Sequence, residues 1–344
     1  MLMNGYKITT VFLSIALIIG WSCNLNNQQG YYITLDGPTQ GTSYHITYQS
    51  DDSVDLQNAV DTLLRKFDLS LSTYEPASII SQINRDEPDV ILNDYFIRCF
   101  NASRDVYMAS DGAFDITIAP VVNAWGFGFT EKADPDSSMI DSLLQYVGMN
   151  HIRMEDDVII KDFHGIMLDV NAIAQGFAVD IVSEYLDSIG LVNYLVEIGG
   201  EVRAKGKNAH GEYWRVGIDK PIDGIQLAGF QIEAVVSLRN RSLATSGNYR
   251  RFYIKDGVKY SHTIDPVTGY PVQHNLLSAT VVADECMIAD GFATAFMVLG
   301  VEKSREILKN RKDLEAYLIY TDDSGKYTTY CTPRMRRYIS KVMN

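Results

Sequence analysis

The chain has 344 residues, 46% of them hydrophobic, and a formal net charge of -13. That length admits one large domain or two ordinary ones, and the apolar fraction can fill a sizeable core. No run of Lys and Arg interrupts the acidic trend, which excludes generic nucleic-acid binding; an anionic phosphate substrate would need a local remedy, such as a metal ion or helix N-termini.

Lys7 is the only charged residue among the first 35. The apolar run Val11 to Trp21 is too short to span a bilayer as a mature helix, and it ends at Ser22-Cys23. A basic start, a short apolar run and a small residue before a cleavage point read as an export signal. The segment resembles a bacterial lipoprotein signal; the other reading is an uncleaved N-terminal anchor, and either puts the domain outside the cytoplasm. On the lipoprotein reading residues 1–22 are removed, Cys23 carries the lipid, and residues 23–30 are a polar tether. The folded part, residues 31–344, is then expected on the extracytoplasmic, periplasmic face of the bacterial cell membrane. Cys99, Cys286 and Cys331 remain, with no zinc-knuckle or redox-pair spacing. One disulfide and buried free thiols both stay open.

Tyr31 to Leu35 and Thr42 to Tyr48 read as strands, the second alternating through Tyr44, Ile46 and Tyr48. Val54 to Leu69 has helical spacing, and Asn93 to Ser110 forms a second long helix stopped by Asp111-Gly112. A short helix, Ile118 to Ala124, leads into the aromatic loop Trp125-Gly126-Phe127-Gly128-Phe129. A polar insert and a helix near Ser138 to Val147 follow. A strand over Gly165 to Val170 is expected to feed a helix over Ala172 to Ile189, with Asn171 as its cap. Tyr194 to Asp284 is dominated by strands, Met287 to Leu299 and Lys303 to Asn310 return to helix, and a strand pair lies near Leu314 to Tyr330. Strands and helices cluster instead of alternating strictly, which argues a single α+β domain and not a doubly wound sheet.

The stretch from His262 to Thr294 carries the most chemistry. His262-Thr-Ile-Asp-Pro-Val-Thr-Gly sets an imidazole three residues before a carboxylate and turns sharply at Pro266 and Gly269. Asp290 and Thr294 stand four apart at the head of an apolar helix, so two oxygen ligands share one face. A hard cation takes such ligands, and few of them when a phosphate supplies the rest. The aromatic loop could grip a flat ring or simply pack the core. The segment 169–180 offers free N–H groups at a helix start or a plain packing joint, and Ala244 to Arg251 could hold phosphate or form a solvated hairpin. Glu197-Ile-Gly-Gly-Glu lacks dinucleotide-fingerprint spacing and reads as a tight turn between two strands. Neither H-E-x-x-H nor G-x-S-x-G occurs, which disfavours a zinc protease and an α/β-hydrolase.

Eight segments in order resemble the ApbE family, the FAD:protein FMN transferases. They are G-P-T-Q-G-T-S-Y at 37–44, S-T-Y-E-P-A-S at 72–78, G-A-F-D-I-T-I-A-P with W-G-F-G, D-V-N-A-I-A-Q-G-F-A-V-D, E-I-G-G-E-V, A-T-S-G-N-Y, H-T-I-D-P-V-T-G and A-D-G-F-A-T-A. The resemblance runs from about Gly37 to Thr321.

It implies an α+β fold of T-fold type and a lipid-anchored enzyme that binds FAD with Mg2+. The enzyme would transfer FMN to a Thr or Ser of a partner protein, such as a subunit of an Rnf-type or Na+-pumping quinone reductase complex, and release AMP. Carried over residue by residue, the FAD site would use Gln40, Tyr74, Ala113, Phe114, Asp115, Asp169, Gln175 and Ile264. Asp290, Thr294 and the Ala172 carbonyl would hold the metal, and His262 would be the catalytic base. Gln40 stands where Met is common, and Gln175 where Lys or Glu is common. Two other activities stay open: hydrolysis of FAD to FMN and AMP, and flavin binding without chemistry.

Overall fold

The computed structural model describes residues 30–129, 135–222, 231–248, 252–255 and 258–342. The export segment with Cys23, and Tyr249 to Arg251 at the end of a turn motif, lie outside the described residues.

Strand β1 (Tyr31–Thr39) and β2 (Thr42–Ser50) pair as an antiparallel hairpin closed by Gln40-Gly41. The period-2 pattern of β2 decides its faces: Tyr44, Ile46 and Tyr48 are fully buried on one side, while Ser43 and His45 stay exposed on the other. Helix α1 (Gln57–Leu71) buries Val60, Leu64 and Phe67 at helical spacing. Helix α2 (Ile79–Asn84) begins at Ser78, whose side chain accepts the Ser81 N–H, and α3 (Asp94–Ala109) begins at Asn93, whose side chain accepts the Phe96 N–H. After α4 (Ala119–Trp125) and α5 (Ser137–Leu144) comes the small hairpin of β3 (Ile152–Glu155) and β4 (Val158–Lys161).

Helix α6 (Ala174–Ser188) leads to β5 (Tyr194–Ile198), β6 (Glu201–Lys205), β7 (Trp214–Asp219), β8 (Ile232–Leu238) and β9 (Arg241–Gly247). Strands β10 (Phe252–Lys255) and β11 (Val258–Ser261) pair with each other. Then follow β12 (Leu276–Ala283), α7 (Cys286–Asn310), β13 (Glu315–Thr321), β14 (Tyr327–Cys331) and β15 (Ile339–Val342).

Eight strands form one sheet in the order β1-β2-β5-β6-β9-β12-β13-β14, and its pairings are antiparallel. One face of the sheet meets α1, α3, α6 and α7 in the main core, which includes Tyr44, Phe67, Phe177 and Phe292. On the other face Val202, Leu243, Val282 and Tyr317 pack against Ile218, Ala234 and Val236 from the three-stranded sheet β15-β8-β7. Helices segregated to one face of an antiparallel sheet make this the α+β domain expected.

Two expectations are corrected. Gly165 to Val170 is not a strand: Asn84 bonds both the N–H and the carbonyl of Leu168 through its side chain (2.7 and 2.8 Å), and the Asp169 N–H goes to Ile116 O (2.7 Å), so no partner strand is needed. The following helix starts at Ala174, not Ala172, and Asn171 does not cap it. The two C-terminal helices are present as expected, as the two parts of α7 divided at Gly300, whose φ of +74° and ψ of -176° are not helical. Cys99, Cys286 and Cys331 are free thiols, which resolves their pairing in favour of the unbridged reading. Among the described residues no helix is long and apolar enough to cross a membrane.

Candidate active site

The core of the site is the contact between the N-terminal turns of α6 and α7. Gly176, the third residue of α6, has a backbone N–H without an acceptor inside the helix, which begins at Ala174. It donates to Asp290 Oδ2 on α7, at 3.0 Å. The helices can approach this closely because residue 176 lacks a side chain: a Cβ there would lie 2.5 Å from the Cys286 carbonyl oxygen and 2.7 Å from the Asp290 Cβ. Asp290 is buried, and that burial pushes its carboxyl up to about 7 against the pull of the Gly176 N–H. One turn on, Thr294 Oγ1 lies 3.0 Å from Ser246 Oγ of β9.

A reciprocal contact holds the same two helices. Asp180 of α6 accepts the N–H groups of Cys286 and Met287, the first two residues of α7, at 2.9 and 2.8 Å. Its Oδ1 also meets Arg203 Nη1 at 3.0 Å. Burial raises the Asp180 carboxyl to about 6, opposed by the two N–H bonds and the guanidinium.

Two of the residues expected to hold a metal, Asp290 and Thr294, stand one turn apart on α7. Asp290 contributes a carboxylate and Thr294 a hydroxyl from one face of α7, and Ala172 lies just ahead of the start of α6. This all-oxygen set suits a hard divalent ion that takes further oxygens from a phosphate. Among the described residues no group of three His, Cys, Asp or Glu side chains is assembled for a metal.

A second group surrounds His262. The loop 262–272 folds back on itself: Val272 N–H bonds Thr263 O at 3.0 Å and Asp265 N–H bonds Tyr270 O at 2.9 Å. Asp265 holds the tip, accepting the Val267 N–H (2.9 Å) and the Thr268 hydroxyl (3.1 Å). This loop leans on α4 and the turn after it. Trp125 Nε1 donates to Gly269 O at 2.8 Å, and the Phe127 ring meets the His262 ring edge-on with centroids 6.5 Å apart. Trp125 is buried with Val121, Ile140 and Ile264, so it packs the core and does not grip a ring. Phe129 continues the aromatic row to Tyr74, 6.4 Å away, and Tyr74 is largely exposed.

The remaining expected residues divide in two. Gln40 sits at the tip of the first hairpin and Gln175 in the first turn of α6; Ser43 O accepts the Gly199 N–H (3.1 Å), and a Cβ on Gly199 would lie 2.6 Å from Gln175 Nε2. Gln175 therefore lies against the β5–β6 turn and precedes Gly176, and the hairpin that carries Gln40 meets the same turn through Ser43. Ala113, Phe114, Asp115, Asp169 and Ile264 are buried, with side chains turned into the protein. Asp115 Oδ1 accepts the Thr117 N–H and hydroxyl (2.8 and 2.5 Å), and Asp169 Oδ1 accepts the Asn171 N–H (2.8 Å). The carboxyls of Asp115 and Asp169 are raised by burial. These carboxylates fix turns, and the bond from Asp169 N–H to Ile116 O joins the 113–116 segment to the chain just ahead of α6. Sequence reasoning missed Ser246, Asp180 and the Trp125 brace; the hydroxyl in Ala244-Thr-Ser-Gly was the one available signal.

Residues 40–318 match the ApbE family. The chain is 35% identical over 318 residues to a FAD:protein FMN transferase of Vibrio cholerae serotype O1, covering 90% of this chain and 93% of that protein. It is 34% identical over 328 residues to a FAD:protein FMN transferase of Haemophilus influenzae, covering 91% and 94%. The solved flavin transferase ApbE from Vibrio cholerae superposes with a TM-score of 0.81 at 33% identity, covering 90% of this chain and 99% of that one.

Proposed function

The chain belongs to the ApbE family, and from that premise we propose that it moves FMN from FAD onto a Thr or Ser hydroxyl of a partner protein, with Mg2+ bound and AMP released. Its activity is that of a flavin transferase acting on a protein. The observation that carries the finer reading is the bond from the Gly176 N–H to Asp290, which fixes a buried carboxylate at the start of α6 with the Thr294 hydroxyl one turn on, beside Ser246.

Asp290, Thr294 and Ala172 O would hold the ion, with Ser246 steadying the Thr294 hydroxyl. Mg2+, when bound, draws charge from the diphosphate and makes AMP a better leaving group. Gln40, Gln175 and the backbone of 113–115 line the dinucleotide side. His262 takes the proton of the acceptor hydroxyl as that oxygen bonds to the phosphorus of the FMN half. The bond from this phosphorus to the bridging oxygen breaks, and the oxygen leaves with AMP. The Phe127 edge and the Trp125 bond to Gly269 keep the His262 loop in place for this transfer.

The acceptor is proposed to be an exported subunit of the Rnf or Na+-pumping quinone reductase kind. Lipid attachment at Cys23 would hold the enzyme at the same membrane face; Cys23→Ser should then shift the protein from the membrane to the soluble fraction. The test of function uses the full chain in detergent with FAD, Mg2+ and an acceptor domain. An FMN-sized mass gain on the acceptor is expected. Free FMN and AMP with an unmodified acceptor would mean hydrolysis, and FAD bound but intact would mean storage.

A further inference from the structure

The tip of the first hairpin holds a side chain with no protein partner. Thr39 pairs with Thr42, so Gln40 and Gly41 form a two-residue turn, with φ of +49° and +72°. Such a turn favours Asn or Gly at its first position, because a longer L side chain is strained in the left-handed region. A Gln there points to use of its reach. Its Oε1 and Nε2 are both enclosed from solvent, and neither makes a hydrogen bond within the protein. Buried amides are nearly always satisfied, since an unmade bond forfeits the whole cost of desolvation. The hairpin meets Gly199 through the Ser43 carbonyl, and Gly199 lies against Gln175, the neighbour of Gly176, so the hairpin that carries the unpaired amide adjoins the start of α6, where the dinucleotide is expected.

We propose that the Gln40 carboxamide is a specificity-determining contact that reads a paired donor–acceptor edge of FAD; this rests on the flavin-transfer reading. A primary amide presents one carbonyl beside one NH2, and it complements a planar edge with an adjacent donor and acceptor. FAD has two such edges, the imide of the flavin ring and the amino-pyrimidine edge of the adenine. In either case two hydrogen bonds replace two unmade ones, and an analogue that cannot form them leaves the amide buried and unpaired.

The test measures dissociation constants of the full chain in detergent for FAD, for FAD methylated at the imide nitrogen, and for FAD with an etheno-bridged adenine. Wild type and Gln40→Met, which keeps the length but loses both polar groups, are compared. Wild type is expected to bind one analogue about tenfold to a hundredfold more weakly than FAD. Gln40→Met is expected to lose a similar factor for FAD and to treat FAD and that analogue alike. Discrimination against the methylated flavin assigns the imide edge; discrimination against the etheno-adenine assigns the adenine edge. Equal FAD affinity in both proteins, or discrimination that survives in Gln40→Met, overturns the proposal and leaves flavin transfer standing. Failure of both proteins to bind FAD removes both readings. A second readout is thermal unfolding without FAD, where Gln40→Met should be as stable as wild type or more so; a clear loss would assign the amide to the fold and overturn the proposal.

Discussion

Asp180 and Asp290 cap each other's helices. The carboxylate of Asp180 on α6 closes the first turn of α7 through Cys286 and Met287, and that of Asp290 on α7 takes the N–H of Gly176 in the first turn of α6. Neither helix has a local side-chain cap, so the orphan N–H groups are satisfied across the interface. The proposed metal seat is built on this exchange.

Asp180→Ala should destabilise the fold by about 3–5 kcal/mol, the usual cost of removing one partner from a buried charge pair. It strands Arg203 and two helix N–H groups. Denaturant unfolding measures this, and a loss below about 1 kcal/mol would count against the cap.

Asp290→Asn can keep the bond to Gly176 while removing the charge. In wild type without metal, the folded carboxyl ionises near 7 and the unfolded one near 3.8. The folded state therefore binds the proton more tightly, and Asp290's contribution to stability falls as pH rises from about 4 to 7. Asp290→Asn should flatten this fall. Mg2+ needs the ionised form, so wild-type Mg2+ affinity should climb between about pH 5 and 8 and then level off. Isothermal titration across pH tests both halves, and a flat wild-type profile would remove Asp290 from the metal.

Gly176→Ala places a methyl against the Cys286 carbonyl and the Asp290 Cβ. The helices must part, at a cost of about 1–3 kcal/mol in stability. Mg2+-dependent transfer should drop with it. An unfolding temperature unchanged by this substitution would contradict the close contact.

His262→Ala should retain FAD affinity and lose transfer by about a hundredfold to ten-thousandfold, the range for a positioned general base. Stopped assays of acceptor mass at saturating FAD decide it, and unchanged transfer would sink the assignment.

Trp125→Phe keeps the apolar packing and deletes the bond to Gly269 O. About 1 kcal/mol of stability should go. The turnover rate should fall while the Michaelis constant for FAD stays within about twofold, because the brace acts on the His262 loop and not on the dinucleotide side. A Michaelis constant that rises as the rate holds would place Trp125 at the flavin instead.

Much of the fold could be read in advance. The alternation of Tyr44, Ile46 and Tyr48, the helical spacing of Val60, Leu64 and Phe67, and Asn93 ahead of α3 are local signals and were followed by the structure. Gly165 to Val170 misled because an apolar extended run looks the same whether its bonds go to a strand or, as here, to the Asn84 side chain and the Ile116 carbonyl. The β3–β4 hairpin was missed because four-residue strands are too short to show a period.

What the sequence determined by itself is the chemistry on offer: an acidic chain, an imidazole before a sharp turn, and a carboxylate and hydroxyl one helical turn apart. Those follow from residue type and short spacing, which backbone geometry converts directly into shared faces. The tertiary structure decided which groups meet. Asp290 reaches Gly176 across 114 residues of chain, Trp125 reaches Gly269 across 144, and Thr294 meets Ser246 across 48. No local period encodes such contacts; the first exists because a glycine lets two helices touch, and the buried N–H group there must then find an acceptor on the neighbouring helix.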